Sequence, residues 1–351
     1  MNSRERVLKA INLEEPDRVP LFDIIRNDAV IEHYSRQQLT WDNAERSVHR
    51  ALGNMLDMTR SVRYPHREET VRGEDGALRQ YERWTTWTLE HPFRTTEELA
   101  TWIRKDIQRL RSVDPRASTD EYVDRFQAVQ NDIGDAVVLW GLAEVGMGTY
   151  QCGLELYSYL YADDPCLMSE WIQASNDLSV AKIEALGHPE LSPVAFVGED
   201  IAGSHGPLFS PAFLEREFFP RLREVIEAYH GKGIKVLYHS DGDIWPVMPD
   251  LISAGIDGLN PLDRQAGMHP GPLKERYGDR LFFAGGIDCV HLLPFGTPKE
   301  VREATRQAIR DGGSGGGYFV GSSSEIGPDI PLENVIAMVE TVKQEGTYPI
   351  S

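Results

Sequence analysis

Seven short apolar runs, each ending in a polar or glycine-rich stop, constrain this chain more than any other feature. They occupy residues 19–24 (VPLFDI), 137–142 (VVLWGL), 194–200 (VAFVGED), 234–241 (IKVLYHSD), 256–262 (IDGLNPL), 281–288 (LFFAGGID) and 318–324 (YFVGSSS). None exceeds eight residues, and each is apolar at both alternating positions. Strands that read this way are buried on both faces, as in a parallel sheet covered by helices. Residues 61–65 (SVRYP) supply an eighth candidate.

Helical signals fill the gaps. After Ser210 and Pro211, the positions Leu214, Phe218, Leu222, Val225 and Tyr229 recur every three or four residues. Ser210 is placed to cap this helix, Pro211 fits its first turn, and Gly231 and Gly233 stop it. Pro220 falls inside the run and is expected to kink it. Thr297 and Glu300 form a capping box for the next long helix, and a last helix spans about residues 331–343.

This alternation predicts an α/β fold: one (β/α)8 TIM barrel spanning residues 1–351 as a single domain, with a doubly wound open sheet as the other arrangement. Residues 67–91 break the rhythm. There EDGAL reads as a turn between two polar strands, an inserted β-hairpin whose Tyr81, Trp84 and Trp87 pack it on the barrel or cover its mouth. The glycine-rich 312–317 (GGSGGG) precedes a strand instead of following one. It therefore reads as a helix-to-strand connection and not as a phosphate loop. The aromatics of 154–161 (LELYSYLY) fit a packed helix.

Composition narrows the partners. The 351 residues carry a net charge of −19, which argues against nucleic acid or an anionic membrane surface as partner. Three cysteines, Cys152, Cys166 and Cys289, read as reduced thiols and not as a disulfide framework. The opening MNSRERVLKA, read as an N-terminal helical extension, carries charges where a secretion signal needs an apolar core. A cytoplasmic location is the expectation.

In a barrel the chemistry sits at the C-terminal ends of the strands. Those ends carry Asp23, Glu144, Glu199, Asp200, His239, Asp241, Asn260, Asp288, and Ser322 through Glu325. Many Asp and Ser residues after a strand merely cap the next helix, and Asp243 and Asp288 fit that reading. His239 and Asp241 lie two apart at a strand end, so both can project into one mouth. Imidazole plus carboxylate suits a divalent cation, or a general base with its orienting group. His205, in the turn-like GSHGP, is a further mouth residue or only a turn residue. No H-E-x-x-H or P-loop pattern occurs.

Four stretches together resemble the uroporphyrinogen decarboxylase superfamily, especially its corrinoid-linked methyltransferases. They are RERVLKAINLEEPDRVPLFD (4–23), GEDIAGSHGPLFSPAFLEREFFPRL (198–222), KVLYHSDGDIWPVMPDLISAGIDGLNPL (235–262), and GGIDC through IAMVE (285–340). The resemblance implies a TIM barrel, often a homodimer, with its cleft at the strand ends. Arg26 and Asp28 occupy the stretch where decarboxylases of the family carry an RQAGRY pattern, which is absent here. The methyltransferases hold zinc on a His-x-Cys pair and a distant Cys. His239 matches the histidine, Asp241 replaces the first cysteine, and the second falls at or near Ser324.

Loss of both thiolates makes the site harder and richer in oxygen, suited to polarising an ether or hydroxyl oxygen and less to activating a thiol. The reading that follows is a methyltransferase moving a methyl group from a small substrate, methoxylated compounds among the candidates, to a corrinoid. The corrinoid is expected on a separate partner protein, because the chain lacks an Asp-x-His-x-x-Gly motif. His239, Asp241 and Glu199 are expected to hold a divalent metal, zinc first. Asp200, His205 and Glu325 are expected to move protons or position substrate, and Asp23, Arg26, Asn260 and Ser324 to bind it. A decarboxylase acting on a small carboxylic acid or tetrapyrrole and a non-catalytic ligand-binding barrel are the alternatives.

Overall fold

The computed structural model describes residues 1–117, 119–141 and 145–350. In chain order its strands are β1 (Met58–Thr59), β2 (Glu69–Arg72), β3 (Leu78–Tyr81), β4 (Thr86–Glu90), β5 (Val137–Val138) and β6 (Val194–Gly198). They continue with β7 (Ala202–Gly203), β8 (Gly206–Pro207), β9 (Lys235–His239), β10 (Gly258–Asn260), β11 (Phe282–Ile287) and β12 (Tyr318–Ser322). Strands β6, β9, β10, β11 and β12 form one parallel sheet, and β1 pairs in parallel with β5.

Single parallel bridges join these pieces into a ring. Trp140 pairs with Ala195, Leu21 with Val320 and Phe22 with Met58. The amide of Phe22 donates to Val320 (2.9 Å) and that of Met58 to Leu21 (3.1 Å). The circuit of eight segments returns to its start, which makes the fold a (β/α)8 barrel and not an open doubly wound sheet. The segment 19–24, read from the sequence as a strand, takes part through these bridges at Leu21 and Phe22. The eighth segment is β1 at Met58–Thr59, three residues before the predicted 61–65.

Side-chain alternation divides the core in two. Phe22, Met58, Val137, Leu139, Val194, Leu237, Phe282, Ala284 and Phe319 point inside the barrel and pack together. Val7, Ala10 and Ile11 of the helix Ser3–Ile11 join that cluster and plug its bottom. The opposite faces pack under the surrounding helices. At the bottom, Asp57 accepts from Arg6 Nη1 at 2.6 Å and Arg18 Nη1 at 2.8 Å. This ties the extension to the start of β1.

The cap signals resolve as expected at Ser210 and at the Thr297–Glu300 box. Pro220 lies at an irregularity in this helix. The helix from Pro211 passes through a π-helical turn, Leu214–Phe218, and Pro220 enters the first turn of Phe219–Gly231. Arg221 Nη1 then donates to the carbonyl of Glu217 at 2.7 Å, bonding a backbone oxygen beside the break. The insertion is also larger than a hairpin: β2, β3 and β4 form a three-stranded antiparallel sheet. Trp84 is buried and donates its indole N–H to Asp28 (2.7 Å), docking the sheet on the barrel mouth, while Trp87 is exposed. Among the described residues no helix is long and apolar enough to cross a membrane.

Candidate active site

The ends of β6 and β9 build the centre of the site. Gly198 pairs with His239 in parallel register, so two residues further on Asp200 and Asp241 lie side by side. His239 follows Leu237, an inward-facing residue, and its ring sits at the top of the barrel interior. Its Nε2 lies 3.7 Å from Asp200 Oδ1 and 3.9 Å from Asp241 Oδ1. One donor atom from each of Asp200, His239 and Asp241 falls within 4.8 Å of the others.

Neighbouring bonds fix these three. The imidazole Nδ1 lies 2.7 Å from Asn260 Oδ1, while Asn260 Nδ2 donates to the carbonyl of Ala284 at 2.9 Å. Because the amide is anchored in that sense, Nδ1 carries the proton and Nε2 keeps its lone pair. The Tyr150 hydroxyl donates to Asp200, and the backbone N–H of Asp241 donates to Asp200 Oδ1 at 2.9 Å. Gly242 holds a φ of +88°, and a Cβ there would sit 2.7 Å from backbone atoms of Ala202 and Gly203. Glycine lets the loop after β9 press against the β7–β8 turn.

Electrostatics separate the roles. Burial and the Arg60 guanidinium push His239 down to about 4, so it is neutral at pH 7. Burial and the carboxylates of Asp200 and Asp263 push Asp241 up to about 7. Arg60 follows β1 directly, stacks 4.9 Å above the Phe196 ring, and places Nη1 3.2 and 3.3 Å from the two imidazole nitrogens. An imidazole nitrogen with two carboxylates is a donor set suited to a divalent cation such as zinc, manganese or iron. Crowding that raises Asp241 is relieved by such a charge. Arg60 Nη1, almost equidistant from the two imidazole nitrogens, brings a like charge close to the place a cation would take.

The other predicted residues are distributed around this centre. Glu199 lies on the opposite face of its strand, where it accepts from Thr149 Oγ1 (3.4 Å) and its carbonyl accepts from Tyr238. Asp200, and not Glu199, joins His239 and Asp241 in the group whose donor atoms converge. Asp23 is buried in the wall and not in the mouth: it accepts from the Ser322 amide (2.8 Å), Ser322 Oγ (2.7 Å) and the Ile24 amide (3.0 Å). Burial pushes Asp23 up to about 7. Asn260, expected to bind substrate, bonds His239 instead.

Arg26 and Glu325 pair at 3.1 Å. Together they line a cleft of about 810 Å³ whose opposite wall is the inserted sheet, with Gln80, Trp84 and Trp87. Ser324 stands half-buried beside Glu325, and His205 is exposed on the turn between β7 and β8. Asp243 and Asp288 cap following backbone, as expected. Glu144 lies outside the described residues. Arg60 and Tyr150 were not singled out in the sequence. Placing the strand at Met58–Thr59 would have put Arg60 at a strand end.

A closed parallel barrel with its ionisable side chains gathered at the strand ends has the build of the TIM-barrel enzymes. Residues 96–345 match the family model described as Uroporphyrinogen decarboxylase (URO-D), and the chain belongs to that family. Members of this family are enzymes. A uroporphyrinogen decarboxylase from Alkalilimnicola ehrlichii is 25% identical over 273 residues, covering 73% of this chain and 68% of its own. One from Coxiella burnetii is 28% identical over 121 residues, 34% of this chain and 32% of its own. Among solved structures, a methyltransferase from Methanosarcina mazei superposes with a TM-score of 0.68 at 17% identity, covering 98% of this chain and 99% of that one. At that identity the likeness concerns the fold.

Proposed function

We propose that this protein is a metal-assisted methyltransferase that takes a methyl group from a small methoxylated substrate and delivers it to a corrinoid carried by a separate protein. The observation that carries this reading is the convergence of His239 Nε2 with oxygens of Asp200 and Asp241. Those three residues would hold a divalent cation, zinc by first preference. Bound there, the cation supplies Lewis-acid polarisation of the ether oxygen from which the methyl group departs. Asn260 keeps His239 in the ligating tautomer, and Tyr150 orients Asp200. Arg26 and Glu325 pair at the edge of the larger cleft.

A decarboxylase for a polycarboxylate tetrapyrrole is the reading suggested by the names of the relatives. The large cleft weighs against it. Asp28, Glu68, Glu82 and Glu325 outnumber Arg26 and Arg83 along its walls, and both arginines are already paired. A polyanion would meet repulsion there.

The test is methyl transfer from methoxylated compounds to free cob(I)alamin, followed by absorbance, with chelator-stripped and metal-reloaded protein. The expected result is transfer that depends on bound metal and is lost in His239→Ala. Full activity in metal-free protein, or carbon dioxide release from an acid without any corrinoid, would overturn the proposal.

A further inference from the structure

A second cavity, of about 280 Å³, opens between the segment after β1 and the helix Thr119–Ile133. Its walls include Arg60, Arg125, Tyr64, Tyr122, Phe126 and aliphatic side chains such as Val62. Among the described residues no carboxylate lines it, although the chain as a whole carries a charge of −19. Its lining thus differs in charge from the acid-rich cleft under the inserted sheet.

The cavity is prearranged. Phe126 stacks on Trp140 with ring centroids 4.0 Å apart, and Tyr122 lies over the same indole at 6.2 Å. The Tyr64 hydroxyl is 2.6 Å from His49 Nε2, which holds that ring in place. Arg125 is exposed and makes no ion pair or hydrogen bond among the described residues. It lies near enough to the phenols of Tyr64 and Tyr122 to offset part of the rise that burial imposes on them. Flat aromatic walls take a ring, and a free guanidinium takes a carboxylate in a two-pronged hydrogen bond.

Size and position complete the argument. The volume is just below the range of roughly 300–1,000 Å³ typical of pockets for drug-sized ligands, so it accommodates one substituted ring and not a tetrapyrrole. Arg60 belongs both to this wall and to the metal centre, since its Nη1 is 3.3 Å from His239 Nε2. A ring seated with its carboxylate at Arg125 shares the cavity with Arg60, which borders both this space and the centre. We infer that the cavity binds the ring and carboxylate of a methoxylated aromatic acid, a substrate class that rests on the methyl-transfer reading above.

The experiment is isothermal titration of the metal-loaded protein with benzoate, 4-methoxybenzoate and benzyl alcohol, repeated with Arg125→Gln. Both acids are expected to bind at least about tenfold more tightly than the alcohol, and Arg125→Gln is expected to remove that advantage. Zinc binding by the variant, measured in parallel, reports that it is folded. Equal affinity for acid and alcohol, or an unchanged acid affinity in Arg125→Gln, would overturn the cavity assignment even if methyl transfer from some other ether succeeds. Benzoate binding as expected, without methyl transfer from any methoxybenzoate, supports the assignment while refuting the methyl-transfer reading.

Discussion

Asn260 holds His239 in one tautomer: its Oδ1 accepts the Nδ1 proton across 2.7 Å while its own amide nitrogen is anchored to Ala284. A histidine ligand whose other nitrogen is bonded in this way is both oriented and made a better donor. Asn260→Leu, which keeps the bulk and removes the acceptor, is expected to lower divalent-cation affinity by about 10–100-fold. Competition against a chromophoric chelator measures this. Unaltered affinity would show that His239 does not ligate through Nε2.

Cation binding is expected to depend on pH through Asp241. Its carboxyl titrates at about 7 in the cation-free protein, so below that pH a proton must leave before an oxygen can ligate. Affinity therefore rises with pH, by about tenfold per unit between pH 5.5 and 7, and levels off above it. His239, held near 4, contributes nothing over this range. The same chelator competition at several pH values gives the slope, and a flat profile would remove Asp241 from the ligand set.

Arg60 is expected to oppose the cation. Its guanidinium bonds the nitrogen that would ligate and brings a like charge. Arg60→Met should strengthen cation binding by about tenfold, since an opposing interaction of roughly 1.4 kcal/mol corresponds to that factor. It should also reduce turnover, because the wall of the smaller cavity loses a cation. Weaker metal binding in the variant would mean that Arg60 supports the ligands instead.

Asp23 and Ser322 join the first and last segments of the barrel, and their bond is expected to govern stability with a definite sign. The folded-state value of about 7 for Asp23 lies above the roughly 3.9 of an exposed aspartate. The folded chain thus retains a proton that the unfolded chain releases. The stabilisation linked to that proton is complete below about pH 4 and lost as pH rises through 7. Ser322→Ala removes the 2.7 Å hydroxyl bond and should cost about 1–3 kcal/mol. The loss should be greater at pH 8, where the carboxylate is ionised, than at pH 5. Urea midpoints at the two pH values check both size and sign.

Gly242→Ala tests the loop that carries Asp241. A φ of +88° and a Cβ 2.7 Å from the Ala202 backbone leave the alanine no room. A cost of about 1–3 kcal/mol is expected for the strained backbone, with weaker cation binding as the loop shifts. A urea midpoint equal to that of the parent would contradict the geometry.

The barrel was largely legible in the sequence because strands buried on both faces must be apolar throughout, and the runs 234–241, 256–262 and 318–324 stand out for that reason. The short β1 left no such run. Met58 and Thr59 sit between Asp57, which is tied to Arg6 and Arg18, and Arg60, so the polar residues on either side hide the strand. Misplacing it by three residues concealed Arg60. The inserted sheet was visible as an interruption, but its third strand, TWTLE, is exposed throughout and carries no burial signal.

By itself the sequence determined the class of fold, which follows from strands alternating with helices, and the His239–Asp241 pair, which follows from alternation along one strand. Which carboxylate of the adjacent Glu199 and Asp200 joins that pair was decided only by the tertiary structure. The pairing of Gly198 with His239 sets Asp200 on the mouth side and turns Glu199 away, and register between strands distant in sequence leaves no local pattern to read. The same holds for Asp23, an inward candidate on a strand end until the neighbouring Phe22 is seen to take the interior. Chain order supplies the side chains, and the closure of the ring chooses which of them face one another.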